Sequence, residues 1–414
     1  MRVLISTIGS RGEVQPVVAA ARELAVRGHE VIVVAPPDFQ EWAEAAGVTY
    51  RAVGPRLRGT ATRKSSGVPS EEQRRQMIEG TVATQFDALT AAGDCDVVVG
   101  GGALAVAAAS VAEYRDARYV YAAFAPITLP STRHAPPVFR LLGQRPADQP
   151  ADPAALWEQD SQRWNLLWRG ALNDSRAALG LEPITDVRSH LFTDHSLLAA
   201  DPTLAPWPEP GDGAVRQTGA WLLTDERALP ADVERFLDAG EPPVLVGFGS
   251  MPAPGGALPA VAAAARALGR RLIVAGGWAE LTAPDPDTLV VGEVDLRQVF
   301  AHVAAVVHHG GAGTTTTAAV AGAPQIVLPQ IFDQFYFGRR VEALGIGRLY
   351  SGAPEAESMT RALRHVLDLG TVSRASEVAD AVRVDGVRMA ADIIESGNKT
   401  DIETTNLTVG TSSR

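Results

Sequence analysis

Short, almost fully apolar runs recur along the chain, each closed by a turn and followed by a stretch with helical spacing. Val3-Leu4-Ile5-Ser6-Thr7 predicts a strand, Gly9 to Gly12 a loop, Val17 to Ala25 a helix closing at Gly28, and Val31-Ile32-Val33-Val34 a second strand. Runs without polar alternation suit strands covered on both faces, so this βαβ unit predicts a parallel sheet. The rhythm returns at Asp96-Val97-Val98-Val99, ahead of an Ala-rich helix, and at Tyr119-Val120-Tyr121. Between 200 and 243 it breaks, because Pro202, Pro206, Pro208, Pro210, Gly211, Gly213, Pro230, Pro242 and Pro243 interrupt regular structure. It restarts with Val244-Leu245-Val246 and Leu272-Ile273-Val274, then Leu289-Val290-Val291, Ala304 to Val307 and Gln325 to Leu328.

The pattern therefore predicts an α/β chain with two parallel-sheet domains facing across a cleft, where the carboxyl ends of such strands hold ligands. The expected units are 1–205, a Pro-rich linker region 206–243, 244–380, a C-terminal helix over 381–396 that can cross back to the first domain, and a polar, disordered tail over 397–414. The length of 414 residues agrees, since a single core stops growing at roughly 250–300 residues.

Charge and cysteine narrow the function classes. The net charge is −11 and no basic block stands out, which speaks against nucleic acid as a partner. Cys95 is the single cysteine, so neither an internal disulfide nor a cysteine metal site can form. The apolar start is too short for a signal peptide, and Val97 to Ala112 is shorter than the roughly 20 residues a membrane helix needs. A cytoplasmic protein without a membrane span is expected; the oligomeric state is left open.

One stretch carries most of the chemistry. Val306 to Thr317 reads as a strand running into His308-His309, then Gly310, Gly311 and Gly313, then threonines opening an Ala-rich helix. Glycines let backbone amides approach a ligand, and amides at a helix start favour an anion. A diphosphate suits that place, with His309 and the hydroxyls of Thr314 and Thr315 as further donors. A tight turn capped by Thr314, with packed histidines, is the structural alternative. No Lys follows the glycines and no G-x-G-x-x-G opens either domain, so P-loop and dinucleotide readings lose their support. Further on, Asp333 and Gln334 stand side by side after a strand end, an acceptor and a donor suited to a sugar edge or simply a helix cap.

Gly310 to Thr315 within HHGGAGTT, Ala321-Gly322-Ala323-Pro324 and Asp333-Gln334 resemble, in order and spacing, the donor-binding signature of family 1 glycosyltransferases of GT-B fold. Residues 9–16, GSRGEVQP, resemble the GSRGDVQP-type loop of the branch holding glycopeptide-antibiotic and sterol 3β-glucosyltransferases, and Gly247 to Met251 is similar to its GFGSM loop. The resemblance spans roughly residues 1–395 and implies two Rossmann-like domains. It implies further that His309, Gly311, Gly313, Thr314 and Ser250 hold the donor diphosphate; Ser10 and Arg11, on the facing loop, are candidates to contact the diphosphate or the acceptor, with turn formation as the alternative. Asp333 and Gln334 would hold the donor sugar, and the Val294 backbone the nucleobase. Plant members carry a glutamate for the ribose where this chain has Thr317, so the donor is expected to be a dTDP- or UDP-sugar, with a lean towards dTDP.

Direct displacement at an anomeric carbon inverts it and needs a base on the acceptor side. Glu13 stands where the resembling loop has its aspartate base, although a first-turn acid also stabilises a helix end. The irregular segments Arg51 to Gly80 and Ser131 to Asp160 are expected to bind the acceptor, with His134 and Trp164 as contacts. Trp157, Trp164 and Trp168 fall seven and four residues apart on one helical face, which also suits a core. The expected activity is metal-independent, inverting transfer to a hydroxyl of a small natural-product aglycone, with no cofactor beyond the nucleotide-sugar. Alternatives are a sterol or lipid UDP-glucosyltransferase, a C-glycosyltransferase on an aromatic polyketide, a sugar-nucleotide 2-epimerase and a non-catalytic sugar-nucleotide-binding auxiliary protein.

Overall fold

A computed structural model describes residues 1–60, 69–138, 152–194, 196–209, 213–223 and 228–397. The tail expected over 397–414 therefore lies, beyond Gly397, outside the described residues, as do parts of both irregular segments. The first sheet comprises β1 (Arg2–Thr7), β2 (Glu30–Ala35), β3 (Thr49–Ala52), β4 (Val97–Gly101), β5 (Arg118–Ala123), β6 (Ser196–Leu198) and β7 (Val215–Gln217), ordered β3-β2-β1-β4-β5-β6-β7. The second comprises β8 (Val244–Gly247), β9 (Leu272–Ala275), β10 (Thr288–Val291), β11 (Ala305–His308), β12 (Gln325–Val327) and β13 (Gly347–Leu349), ordered β10-β9-β8-β11-β12-β13. Every pairing is parallel.

The uniformly apolar strands follow from burial on both faces. Val3 and Ile5 join one apolar cluster while Leu4 joins the cluster on the opposite face. Val244 and Val246 likewise separate from Leu245 in the second sheet. Helices occupy both faces because each parallel crossover must return over the sheet.

The Pro-rich stretch is more structured than its breakers suggest. Within 206–243, Val215–Gln217 pairs in register with β6, and helix Ala231–Asp238 sets Val233 and Leu237 against Leu245, Ile273 and Phe300. Backbone pairing and the apolar face of one helix outweigh the flanking prolines there.

Helix Gly386–Ser396 crosses back onto the first domain. Ala390, Ala391 and Ile394 enter the same apolar cluster as Val14, Val17 and Val18 of helix Arg11–Val26. Arg27 pairs with Asp392 at 2.6 Å and Glu395 at 2.9 Å, and His29 Nε2 lies 2.7 Å from Glu395 Oε1. The outgoing and returning segments touch at two glycines: a Cβ on Gly386 would lie 2.5 Å from the Gly219 carbonyl, so only glycine fits there.

The tryptophan face of helix Pro153–Ala178 is a core, which corrects the acceptor assignment of Trp164. Trp164 is fully buried (0% exposed) and stacks on Trp168 at 5.5 Å. The Arg188 guanidinium lies 4.0 Å above the Trp164 ring and is neutralised by buried Asp160, to whose Oδ2 Arg188 Nε donates at 2.8 Å. A ring this large is worth more desolvated against a helix than held open for a ligand.

Candidate active site

In open α/β sheets the ligand crevice forms where the strand order reverses. In the first sheet that is between β1 and β4, in the second between β8 and β11. The loops after β1, β4, β8 and β11 carry Ser10 to Glu13, Gly102, Gly249-Ser250 and His309 to Thr314. The two domains meet through these loops: the Arg11 amide points at Ser250 Oγ, 3.5 Å away.

Glu13 sits in the first turn of helix Arg11–Val26, and its Oε2 accepts from both the Ser10 amide and the Ser10 hydroxyl, each at 2.8 Å. The carboxylate thus satisfies an orphan amide of the helix start. Gly9 permits this, since a Cβ there would lie 2.7 Å from Glu13 Oε2. Burial lifts the Glu13 carboxyl above its ordinary range, against the pull of the Ser10 hydrogen bonds.

Across the cleft, Asp333 opens helix Gln334–Ala343, directly after Phe332, which is held at φ +56°. A bulky residue in the left-handed region is strained, and such strain collects at binding sites. Burial first, and the nearby Glu13 charge second, push Asp333 up to about 7. Each domain thus contributes one carboxyl group from the segment that follows a strand, Glu13 after β1 and Asp333 after β12. Gln334 is buried, and its Oε1 accepts from the amides of Gln330 at 2.8 Å and Ile331 at 3.1 Å, which braces the turn that presents Asp333.

The paired histidines divide their work. The amide of Gly310 donates to His308 Nδ1 at 3.1 Å, so the ring proton sits on Nε2, 2.9 Å from Gln325 Oε1. Burial lowers His308 to about 3 and it stays neutral, pinning β11 to β12. His309 is held by burial at about 4, and its buried Nδ1 has no hydrogen-bond partner. Its ring lies between two glycines: a Cβ would meet His309 Nε2 at 2.6 Å on Gly311 and His309 Cε1 at 3.6 Å on Gly249. Gly311 precedes helix Ala312–Val320, and a Cβ on Gly313 would meet only open space. His309, Gly311, Gly313 and partly exposed Thr314 so surround the helix N-terminus, an anion-favouring place. Thr315 does not join them: it is buried, and its hydroxyl donates to Gly311 O at 2.9 Å, as a mid-helix threonine does.

Two further expected contacts point elsewhere. Arg11 Nη2 reaches Glu293 Oε2 at 2.7 Å, and its guanidinium lies 4.7 Å above the Trp42 ring. The side chain is thereby directed at the loop of Gly292 to Asp295, where Val294 is half-buried. His134 Nε2 donates to Leu129 O at 3.0 Å, and its ring packs edge-on between Trp157 and Trp207 at 6.1 and 6.0 Å. Burial lowers its pKa, so it remains a neutral packing group.

Several residues at the cleft carry no motif. Gly102 and Phe124 follow β4 and β5, and a Cβ on Gly102 would lie 3.4 Å from Phe124 Cε2 and 3.7 Å from Glu13 Cγ. Trp278 donates its amide to Gly249 O at 2.9 Å and stacks on Phe39 of the first domain at 5.5 Å. Their signal in the sequence is position alone, at or just past the carboxyl end of a strand. Among the described residues no group of His, Cys, Asp or Glu could hold a metal ion, and no helix is long and apolar enough to cross a membrane.

Residues 3–131 match the glycosyltransferase family 28 N-terminal domain, and 267–390 the C-terminal domain of erythromycin biosynthesis protein CIII-like enzymes. Glycosyltransferase GtfE of Amycolatopsis orientalis is 46% identical over 95% of this chain and 97% of its own. The vancomycin aglycone glucosyltransferase of that organism is 44% identical over the same shares, and its dTDP-epi-vancosaminyltransferase 39% identical over 91% and 93%. The glycotransferase of kitacinnamycin superposes with a TM-score of 0.67 at 20% identity, covering 95% of this chain and 98% of its own, which shows the shared fold. The chain is thus a glycosyltransferase and belongs to the GT-B branch that holds the glycopeptide-antibiotic glycosyltransferases.

Proposed function

We propose that this enzyme transfers a sugar from a nucleoside diphosphate to a hydroxyl of a small natural-product aglycone, with inversion and without a metal ion. The observation that carries the reading is the facing of two switch-point loops, where Ser10 holds Glu13 in one, unpartnered His309 stands beside the start of helix Ala312–Val320 in the other, and the Arg11 amide points across at Ser250 Oγ. Glu13 takes the proton of the acceptor hydroxyl as its oxygen bonds to the anomeric carbon. The bond from that carbon to the diphosphate oxygen breaks, and the nucleoside diphosphate leaves. A single displacement inverts the centre, and a base with a raised pKa accepts the proton with a better driving force.

The leaving charge falls at the start of helix Ala312–Val320, where the amides of Gly311 and Gly313, the Thr314 hydroxyl and the unpartnered His309 nitrogen support it. Ser250 adds a hydroxyl from the facing loop, while Ser10 holds Glu13. Asp333, with the turn braced by Gln334, takes the sugar hydroxyls, and Val294 lines the nucleobase end. Thr317 in place of an acid, together with a 39% identical relative named for a dTDP-sugar, favours a dTDP-sugar over UDP.

The test is incubation with dTDP-glucose or UDP-glucose and vancomycin aglycone, in buffer with and without EDTA. Product carrying a β-linked sugar from the α-linked donor, at the same rate with EDTA, is expected. Retained configuration or loss of turnover with chelator would overturn the mechanism.

A further inference from the structure

Two apolar side chains cross between the domains in opposite directions. Leu204 follows β6 of the first sheet and is fully buried, yet the apolar cluster it enters holds Ala319, Val327, Val341 and Val378 of the second domain. Phe337, from helix Gln334–Ala343 of the second domain, is buried in turn among Tyr121, Ile127, Leu198 and Trp207 of the first. Each domain thus lends one side chain to the other's core, and separating them here would return both to water.

The turn that presents Leu204 is held by its amides and by its carbonyls. Buried Asp201 accepts through Oδ1 from the amides of Thr203 at 2.9 Å and Leu204 at 3.0 Å, and through Oδ2 from the Arg383 amide at 2.8 Å. Arg340, one helical turn beyond Phe337, donates through Nε to Leu204 O at 2.8 Å and through Nη2 to Thr203 O at 3.0 Å. The planar guanidinium suits this two-pronged contact, and its charge strengthens both bonds. The helix that carries Arg340 opens at Asp333, so the fork joins the segment that presents Asp333 to the domain that carries Glu13.

Resting on the reading of Asp333 as sugar ligand and Glu13 as base, we propose that Arg340 is a positioning residue for the transfer: its fork on the carbonyls of Thr203 and Leu204 sets where the donor sugar stands relative to the base. Arg340 acts through its helix and gives no group to the reacting atoms. Without the fork the start of that helix is free to shift against the first domain, while Leu204 and Phe337 keep the domains joined. A misplacement of about 1 Å costs on the order of 10²-fold in rate. The diphosphate rests at the start of a different helix, Ala312–Val320, so nucleotide affinity does not depend on the fork.

The experiment compares full-length wild type, Arg340→Met and Arg340→Lys. Calorimetric titration with dTDP gives a dissociation constant and the number of competent sites, and transfer from dTDP-glucose to vancomycin aglycone gives the donor KM and kcat per competent site. Arg340→Met keeps an apolar stem beside Leu204 and removes the donors, while Arg340→Lys restores a charged donor. Arg340→Met is expected to lose about ten- to a hundredfold in kcat per site, with dTDP affinity and donor KM within about threefold of wild type, and Arg340→Lys to recover kcat to within about threefold. A kcat per site in Arg340→Met within threefold of wild type, a fall matched by an equal loss of dTDP affinity, or an Arg340→Lys variant as slow as Arg340→Met overturns the proposal. Loss of all competent sites in Arg340→Met also overturns it, since the fork would then serve folding alone. Absence of dTDP binding or of transfer by wild type would instead remove the reading of donor site and base, so the two failures are told apart.

Discussion

Arg11 and Glu293 join the two domains at the rim of the cleft, with Nη2 and Oε2 2.7 Å apart and the guanidinium resting on Trp42. Glu293 is mostly in water (69% exposed), so the pair is screened and contributes at most about 1 kcal/mol. Its removal by Glu293→Gln should change kcat/KM less than about fivefold. The difference from wild type should vanish by about 1 M salt, where the screening length falls to roughly 3 Å. A tenfold loss that persists in high salt would show a deeper role for this carboxylate.

Replacing the proposed base is a sharper test. Glu13→Gln keeps the size and a hydrogen-bonding oxygen toward Ser10, but a neutral amide cannot take a proton. Turnover should fall roughly 10² to 10⁴-fold, the range general bases supply. Titration calorimetry should find dTDP affinity unchanged, because the residue contacts neither phosphate nor base in this reading.

His309 and Gly311 should act as one unit. His309→Ala removes a candidate donor to a charged phosphate, which is worth about 1.5–3 kcal/mol, or roughly ten- to a hundredfold in dTDP affinity. Gly311→Ala drives a methyl to 2.6 Å from His309 Nε2 and displaces the ring, with a similar loss. The double variant should be little worse than either alone, since neighbours sharing one interaction do not add.

Asp333 gives a pH signature. Its folded pKa of about 7 stands above its ordinary value of 3.8, so between these pH values the folded state binds more protons than the unfolded one. Stability from this group is then full at low pH and lost as pH rises through about 7. Asp333→Asn abolishes that loss. Melting curves should show its Tm gaining on wild type as pH climbs from 4 to 8, and a constant difference would mean that Asp333 ionises normally.

Trp164 separates packing from binding. Trp164→Ala should cost about 3–5 kcal/mol in denaturant unfolding, as expected for a large buried ring. The fraction that remains folded should keep the wild-type acceptor KM.

Legibility in the sequence followed the kind of interaction involved. Strands such as Val31 to Val34 and Val244 to Val246 declare themselves because two-sided burial leaves no polar position in them. The loops of Gly9 to Glu13 and His309 to Thr314 were readable because glycines and a helix start form a local pattern. Phe124 and Trp278 were not, since what gives them a place in the cleft is contact with Trp221, Gly102 and Phe39, residues far off in the chain. Trp164 misled for the same reason: its spacing fixes a helix face but not what that face meets, and Arg188, which covers its ring, comes from a separate helix later in the chain.

The backbone contact of Gly219 with Gly386 has a mechanical consequence. Even a methyl group at Gly386 would wedge the outgoing and returning segments apart, and the helix that begins there would lose its seat on the first domain.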